Sequence, residues 1–150
     1  MALKEQINVD LKAALLGGNR FSVDVLRGLK ATVLNEEVAQ NKREEGLEDS
    51  VIEQLIAREV KKRNESAVIY DGASRPELAA NERQEAQILG AYLPKQLTES
   101  EISLVVSRVI GEMGASNPSM MGQIIGAVKK ELGNSADGAL IAQIVKRALN

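Results

Sequence analysis

The sequence contains no cysteine and no histidine, and these two absences exclude several kinds of chemistry at once. Without cysteine the chain has no disulfide, no thiolate nucleophile and no thiolate metal site, which fits a reducing cytoplasm. Without histidine it lacks the commonest general base, the commonest transition-metal ligand and the side chain that titrates most readily near neutral pH. We therefore predict no metal site and no cofactor.

Aromatic residues are almost as scarce, since Phe21, Tyr70 and Tyr92 are the full set. Proteins that bind single-stranded RNA usually stack its bases on several aromatic side chains. The net charge of −2 also gives the whole molecule no attraction for nucleic acid. Any RNA binding is therefore expected to use a local surface and to recognise shape and backbone.

Long hydrophobic runs and catalytic motifs are missing as well. No stretch approaches the roughly 20 apolar residues that span a bilayer, and Met1–Gln6 begins no secretory signal, so we expect no membrane contact and a cytoplasmic location. There is neither a GxxxxGK[ST] phosphate loop nor a nucleophile elbow. The adjacent carboxylates of Glu36-Glu37 and Glu44-Glu45 diverge on a helix. We predict no catalytic residues.

What the sequence does contain is helical periodicity along its whole length, which predicts an all-α fold. The first helix is predicted to end at Gly17-Gly18, and the second to begin with Ser22 as its cap. A third helix is predicted from Glu48 or Asp49, with Gly72 at its C-terminal cap. The predicted core-facing residues of these three helices are Leu3, Ile7, Leu11 and Leu15, then Val25, Leu26, Leu29, Val33, Leu34 and Val38, then Val51, Ile52, Leu55, Ile56 and Val60.

A domain boundary is predicted near residues 92–97. A fourth helix begins at Pro76, and Pro94 then breaks the chain before the capping box Thr98-Glu99-Ser100-Glu101. We predict an N-terminal multi-helix subdomain over residues 1–93 and a small C-terminal three-helix subdomain over residues 94–150.

In the C-terminal subdomain, residue propensity and hydrophobic spacing predict different secondary structures for one segment. Ile102–Ile110 is rich in β-branched residues, yet its apolar positions follow helical spacing, so we predict a helix. Asn117-Pro118 is expected to open the next helix, and Ser135 or Asp137 to cap the last one.

Two glycines and four basic residues are the candidate site. Gly122 and Gly126 share one helix face, where they serve either close helix packing or close approach of a phosphate. The basic residues either stabilise the C-terminal ends of the last two helices or contact a nucleic-acid backbone. They are Lys129, Lys130, Lys146 and Arg147. A second basic group, Arg58, Lys61, Lys62 and Arg63, is interpreted as a solvated charged face.

Several short motifs together resemble the GatB/YqeY family over nearly the whole chain. In the C-terminal part they are Tyr92–Leu97, Met121–Gly126 and Ala136–Gly138, and in the N-terminal part Leu26–Ala31, Asn35-Glu36, Lys62–Ser66, Arg75–Ala79 and Glu82. The resemblance implies an all-α protein whose C-terminal part is similar to the tail domain of the tRNA-holding subunit of glutamine-dependent tRNA amidotransferases. It implies tRNA as a partner, together with amidotransferase or aminoacyl-tRNA machinery subunits.

We consider three functions, of which the first and third are implied by the resemblance. The first is a non-catalytic tRNA-binding or amidotransferase-associated accessory protein. The second is a helical protein-interaction adapter with a groove near Leu93–Leu97, and the third a component that supports carbon–nitrogen ligase activity, with glutamine as amido-N-donor, only when assembled with partner subunits. One departure bears on the first: relatives usually carry basic residues in the loop that here reads Asn134-Ser135 before Ala136-Asp137-Gly138.

Overall fold

The structure, a computed structural model, describes residues 2–115 and 117–150. The prediction of an all-α fold is confirmed, because these two ranges contain seven α-helices, two short 3-10 turns and no strand. The helices are α1 (Leu3–Leu16), α2 (Arg20–Ala39), α3 (Asp49–Gly72), α4 (Pro76–Gly90), α5 (Glu99–Met113), α6 (Met121–Leu132) and α7 (Gly138–Leu149). The chain forms two compact units, which meet in sequence between Leu93 and Pro94.

The N-terminal unit contains α1 to α4. Helices α3 and α4 form a hairpin in which Ala67 and Ala79 are fully buried, and side chains this small let two helix backbones lie close together. The main core cluster is Ile7, Leu29, Val33, Leu47, Ile52, Leu55, Ile56 and Leu89. Tyr92 closes the unit by donating a hydrogen bond from its Oη to Asp10 Oδ2 at 2.6 Å. Partial burial, and then this bond to a carboxylate, raise the pKa of the phenol.

The predicted apolar stripes are wrong at three positions. Leu15 at the end of α1 is about half exposed, and so are Leu34 and Val38 on α2. The buried stripe of α2 continues from Val33 to Glu37, whose side chain is only 1% exposed. Lys4 explains this burial, because its Nζ lies 2.6 Å from Glu37 Oε1 and neutralises the carboxylate.

Two caps also differ from the predictions. Helix α2 begins one turn earlier than expected, because the side chain of Asn19 accepts a hydrogen bond from the backbone N–H of Ser22 at 3.1 Å. At the end of α3, Gly72 is still helical, and the left-handed position falls to Ser74 with φ 59°. Both errors move a helix end by two or three residues without changing the order of helices.

The C-terminal unit is a three-helix bundle of α5, α6 and α7. Its core consists of Ile102, Val106, Val109, Ile124, Val128, Ile141, Ile144 and Val145. The predicted capping box of Thr98 and Glu101 is present, and the β-branched segment after it is helical as its pattern indicated. Asn117 caps a 3-10 turn, Pro118–Met120, that leads into α6, and Asp137 holds the N-cap position of α7 without a side-chain hydrogen bond to that helix. Across residues 2–115 and 117–150 no helix is both long and apolar enough to cross a membrane.

Candidate nucleic-acid interface

The exposed face of α6 brings together three of the predicted site residues. With about 100° of rotation per residue, Gly122, Gly126 and Lys129 lie within roughly 60° of one another around the helix. All three are exposed. Apart from the backbone of α6 itself and the adjacent residues, a Cβ built on either glycine would meet no atom within 4 Å. The interpretation of these glycines as close helix packing is therefore wrong within the described chain, and their backbone faces open space.

Lys129 and Lys130 lie in the last turn of α6, where positive charge is favoured by the helix dipole. The Lys129 side chain runs over the start of α7, since a Cβ on Gly138 would be 2.9 Å from its Cε and 3.1 Å from its Nζ. Lys130 points about 100° away and is exposed. Among the described residues neither lysine makes an ion pair, so both charges are available to an anion.

The turn between α6 and α7 is held by the segment that enters the unit. Gln96 Nε2 donates to the backbone oxygens of Asn134 and Pro94, both at 2.9 Å, and the backbone N–H of Leu97 donates to Ser135 O at 2.8 Å. These bonds place exposed Lys95 at the same end of the bundle as Lys129. Lys95 is not among the predicted site residues, because nothing in its local pattern indicates which turn it adjoins.

The other two predicted basic residues lie elsewhere. Lys146 and Arg147 are in the last turn of α7, about 12 Å along the helix from Gly138 at 1.5 Å per residue. Being adjacent in sequence, they point about 100° apart. Arg147 is ion-paired with Glu99 of α5, and Lys146 is exposed. The structure therefore groups Lys129, Lys130 and Lys95, and not the four predicted basic residues.

Arg108 neutralises two acidic residues of the bundle. It donates to Glu112 one turn further along α5 at 3.1 Å, and it also pairs with Glu131 at the end of α6. These hydrogen bonds, first the one that Glu112 accepts and then the one that Glu131 accepts, raise the pKa of Arg108. The carboxylate of Glu131, next to Lys130 in sequence, is thus ion-paired with Arg108, and this pairing reduces its repulsion of a phosphate.

In the second basic group, which was interpreted as a solvated charged face, Arg63 forms ion pairs with residues of α3 and α4. Arg63 Nη2 lies 3.2 Å from Glu59, and its other nitrogens lie 3.6 Å from Glu82 and 3.3 Å from Glu85 on α4. Burial, and then the charges of Glu82 and Glu59, raise the pKa of Glu85 against the opposing effect of Arg63. Three carboxylates on one guanidinium leave no positive surface at that position. No group of three acidic side chains placed to hold a metal ion occurs in the described ranges.

Fold and surface together define a class: an all-α protein of two helical units, the second of which is a small bundle with an exposed glycine and lysine face. A family model described as Yqey-like protein matches residues 4–149. The chain belongs to the YqeY-like family, as its motifs had indicated.

Three curated relatives share the name "Altered inheritance of mitochondria protein 41, mitochondrial". The protein of Lachancea thermotolerans is 30% identical over 124 residues, which cover 81% of this chain and 64% of the relative. That of Clavispora lusitaniae is 25% identical over 87% of this chain and 74% of the relative. That of Kluyveromyces lactis is 26% identical over 79% of this chain and 65% of the relative. The chain thus covers less than two thirds of two of these proteins, and because all three names are mitochondrial, the cytoplasmic location stays a prediction.

Proposed function

We propose that this protein is a non-catalytic tRNA-binding accessory protein, which contacts the RNA backbone through the exposed face of α6 and the neighbouring turn. The contact surface consists of Gly122, Gly126, Lys129 and Lys130, joined by Lys95. Its role is to hold tRNA, or a tRNA-bound enzyme of the amidotransferase or aminoacyl-tRNA type, without taking part in the chemistry. The resemblance to the amidotransferase tail suggests tRNA as the partner, and the positive charges of the three lysines would bind its phosphates.

The observation that carries this proposal is that two open glycines and Lys129 share one exposed face of α6. Glycine inside a helix costs up to about 1 kcal/mol relative to alanine, so its presence is usually repaid by close packing. The helical glycines Gly28, Gly90 and Gly111 are equally open, so openness alone does not distinguish this pair. What distinguishes Gly122 and Gly126 is that they share an exposed helix face with Lys129, where a phosphate chain can lie directly on the helix.

The lysines are tested by salt dependence. The Lys129→Ala/Lys130→Ala variant is expected to bind bulk tRNA at least tenfold more weakly in low salt. With three phosphate contacts, log K for the unmodified protein should fall with log salt at a slope of about −2 to −3, and the variant should lose about 1.5 to 2 of that slope. Fluorescence anisotropy with labelled tRNA measures both. Cytoplasmic and mitochondrial tRNA are used in parallel, because the relatives carry mitochondrial names.

Two controls keep this test specific. A Lys61→Ala/Lys62→Ala variant removes the same charge from α3 and should leave the slope within about 0.5 of the original. A DNA duplex of similar charge should bind more weakly than tRNA. Equal weakening by both double variants, or no tRNA binding at low salt, would sink the proposed function.

The glycines give a prediction with opposite signs for stability and binding. Because an added Cβ has room at both positions, the free energy of unfolding of the Gly122→Ala/Gly126→Ala variant should be about 1 kcal/mol higher than that of the unmodified protein. If an RNA backbone lies on these positions, the same variant should bind tRNA several-fold more weakly. Chemical denaturation and anisotropy on one preparation provide both numbers. Unchanged tRNA affinity in a stabilised variant would remove the glycines from the interface.

A further inference from the structure

The N-terminal unit contains a cavity of about 230 Å³ between α1 and α2. Ile7, Val33 and Leu34 line its wall, and Lys4, Lys30 and Glu37 also border it, mainly through their aliphatic stems because the lining is almost entirely apolar. Leu34 remains 44% exposed, so apolar surface is left open where the cavity meets solvent. Nothing in the proposed tRNA surface involves these residues, which belong to the other compact unit.

The charges around this cavity are unequal. Glu37 is 1% exposed, and its Oε1 accepts a hydrogen bond from Lys4 Nζ at 2.6 Å. The Lys4 side chain is itself 44% exposed, so its ammonium retains donors that face outward. Lys30 is exposed and has no ion-pair partner among the described residues. The charged residues that border this apolar cavity, Lys4, Lys30 and Glu37, have a formal charge of +1 in total.

Stability alone does not account for this arrangement. Replacing a buried ion pair by apolar side chains of similar volume is often neutral or stabilising, so the fold gains little from Glu37 and Lys4 at this position. An apolar residue at position 37 would also have extended the buried stripe of α2. What the pair does provide is a fixed ammonium group at the edge of an apolar wall.

We propose that this cavity binds a small amphiphilic anion, namely a compact apolar body carrying one carboxylate or similar group. The apolar body lies against Ile7, Val33 and Leu34, and the anionic group accepts hydrogen bonds from Lys4 and Lys30. At the packing density of protein interiors the volume holds roughly ten carbon-sized atoms. The cavity is below the usual 300–1,000 Å³ of drug-sized ligand sites, which favours a small ligand.

Octanoate is the probe, because its size and charge match the site. Titration of the full-length protein, followed by methyl NMR, should give saturable shifts of Ile7, Val33 and Leu34 with a Kd on the order of 1 mM. Octylammonium has the same chain with the opposite charge and should bind at least tenfold more weakly. Octanol, which lacks charge, should fall between them.

Matched variants locate the binding. Lys30→Glu should weaken octanoate binding about tenfold while leaving octanol within twofold, whereas Lys12→Glu, the same change at another exposed lysine of the unit, should alter neither. Leu34→Gln should weaken both ligands about fivefold, and Leu104→Gln, at an exposed leucine of α5, neither.

Three outcomes would overturn the proposal. The first is octylammonium binding as tightly as octanoate, and the second is an equal effect of Lys12→Glu and Lys30→Glu. The third is the absence of saturable shifts up to about 10 mM octanoate. This last result would leave the cavity as a groove for a side chain of a protein partner.

Discussion

Replacing Ile141 by alanine is expected to lower the free energy of unfolding of the C-terminal unit by about 2–5 kcal/mol. Ile141 is fully buried on α7, in the cluster that joins all three helices of the bundle. The substitution removes several buried carbon atoms and leaves a cavity that α5 and α6 cannot fill without moving. The loss is large for this unit, because small domains bury a lower fraction of their surface and are only marginally stable.

The Ile141→Ala substitution should also weaken tRNA binding strongly. A bundle that is largely unfolded cannot hold Lys95, Lys129 and Lys130 at one end, so tRNA binding should fall with the folded fraction. Methyl NMR of residues 94–150 reports the folded fraction, and urea titration gives the free energy. Leu104→Ala, at a side chain that is 73% exposed, is the control and should change stability by less than about 0.5 kcal/mol. Equal effects of the two substitutions would contradict the core position of Ile141.

Removal of Lys4 is expected to destabilise the protein far more than removal of a lysine that has no buried partner. In Lys4→Met the stem is retained, but the carboxylate of Glu37 stays buried without its partner. Breaking a buried pair costs about 3–5 kcal/mol, and since Lys4 is half exposed and water can reach its position, we expect about 2–3 kcal/mol. Urea unfolding monitored by circular dichroism measures this loss.

A double substitution distinguishes lost pairing from lost packing. Lys4→Met/Glu37→Met replaces both charges by apolar groups of similar size and should unfold within about 1 kcal/mol of the original protein. Lys12→Met on the same helix is the control for removing an exposed lysine and should cost less than about 0.5 kcal/mol. If Lys4→Met costs no more than Lys12→Met, the ion pair does not stabilise Glu37.

The helix pattern and its conflict with propensity were readable from the sequence. Ile102–Ile110 contains enough β-branched residues for a strand, but apolar positions three and four apart match one buried helix face. The capping box at Thr98 fixed the start of the same helix. Both signals are local, because each depends only on residues within a few positions of one another in the sequence.

The errors arise where a distant residue decides. By spacing alone, Leu34 and Val38 fit the apolar stripe of α2 as well as Glu37 does. Glu37 is the buried residue because Lys4 of α1 pairs with its carboxylate. The error at Ser22 is instead local, because two polar residues three apart both suit the cap and it is the Asn19 side chain that accepts a hydrogen bond from the Ser22 N–H. Hydrophobicity alone cannot rank such alternatives.

The candidate site was predictable only in part. The spacing of Gly122, Gly126 and Lys129 places them on one helix face, and the structure has them there, all exposed. Pairing of Arg147 with Glu99, and the position of Lys95 beside the turn after α6, both join residues far apart in sequence. These contacts follow from the packing of α5 to α7, which no local pattern specifies.

The hydrogen bonds from Gln96 and Leu97 to Asn134 and Ser135 determine where the C-terminal unit can be cut from the chain. A fragment that begins at the capping box of α5 would lose the segment that fixes the turn before α7, together with Lys95. It could fold its three helices and still present a loosened turn beside Lys129. A fragment that begins at Pro94 keeps these hydrogen bonds and matches the boundary of the compact unit.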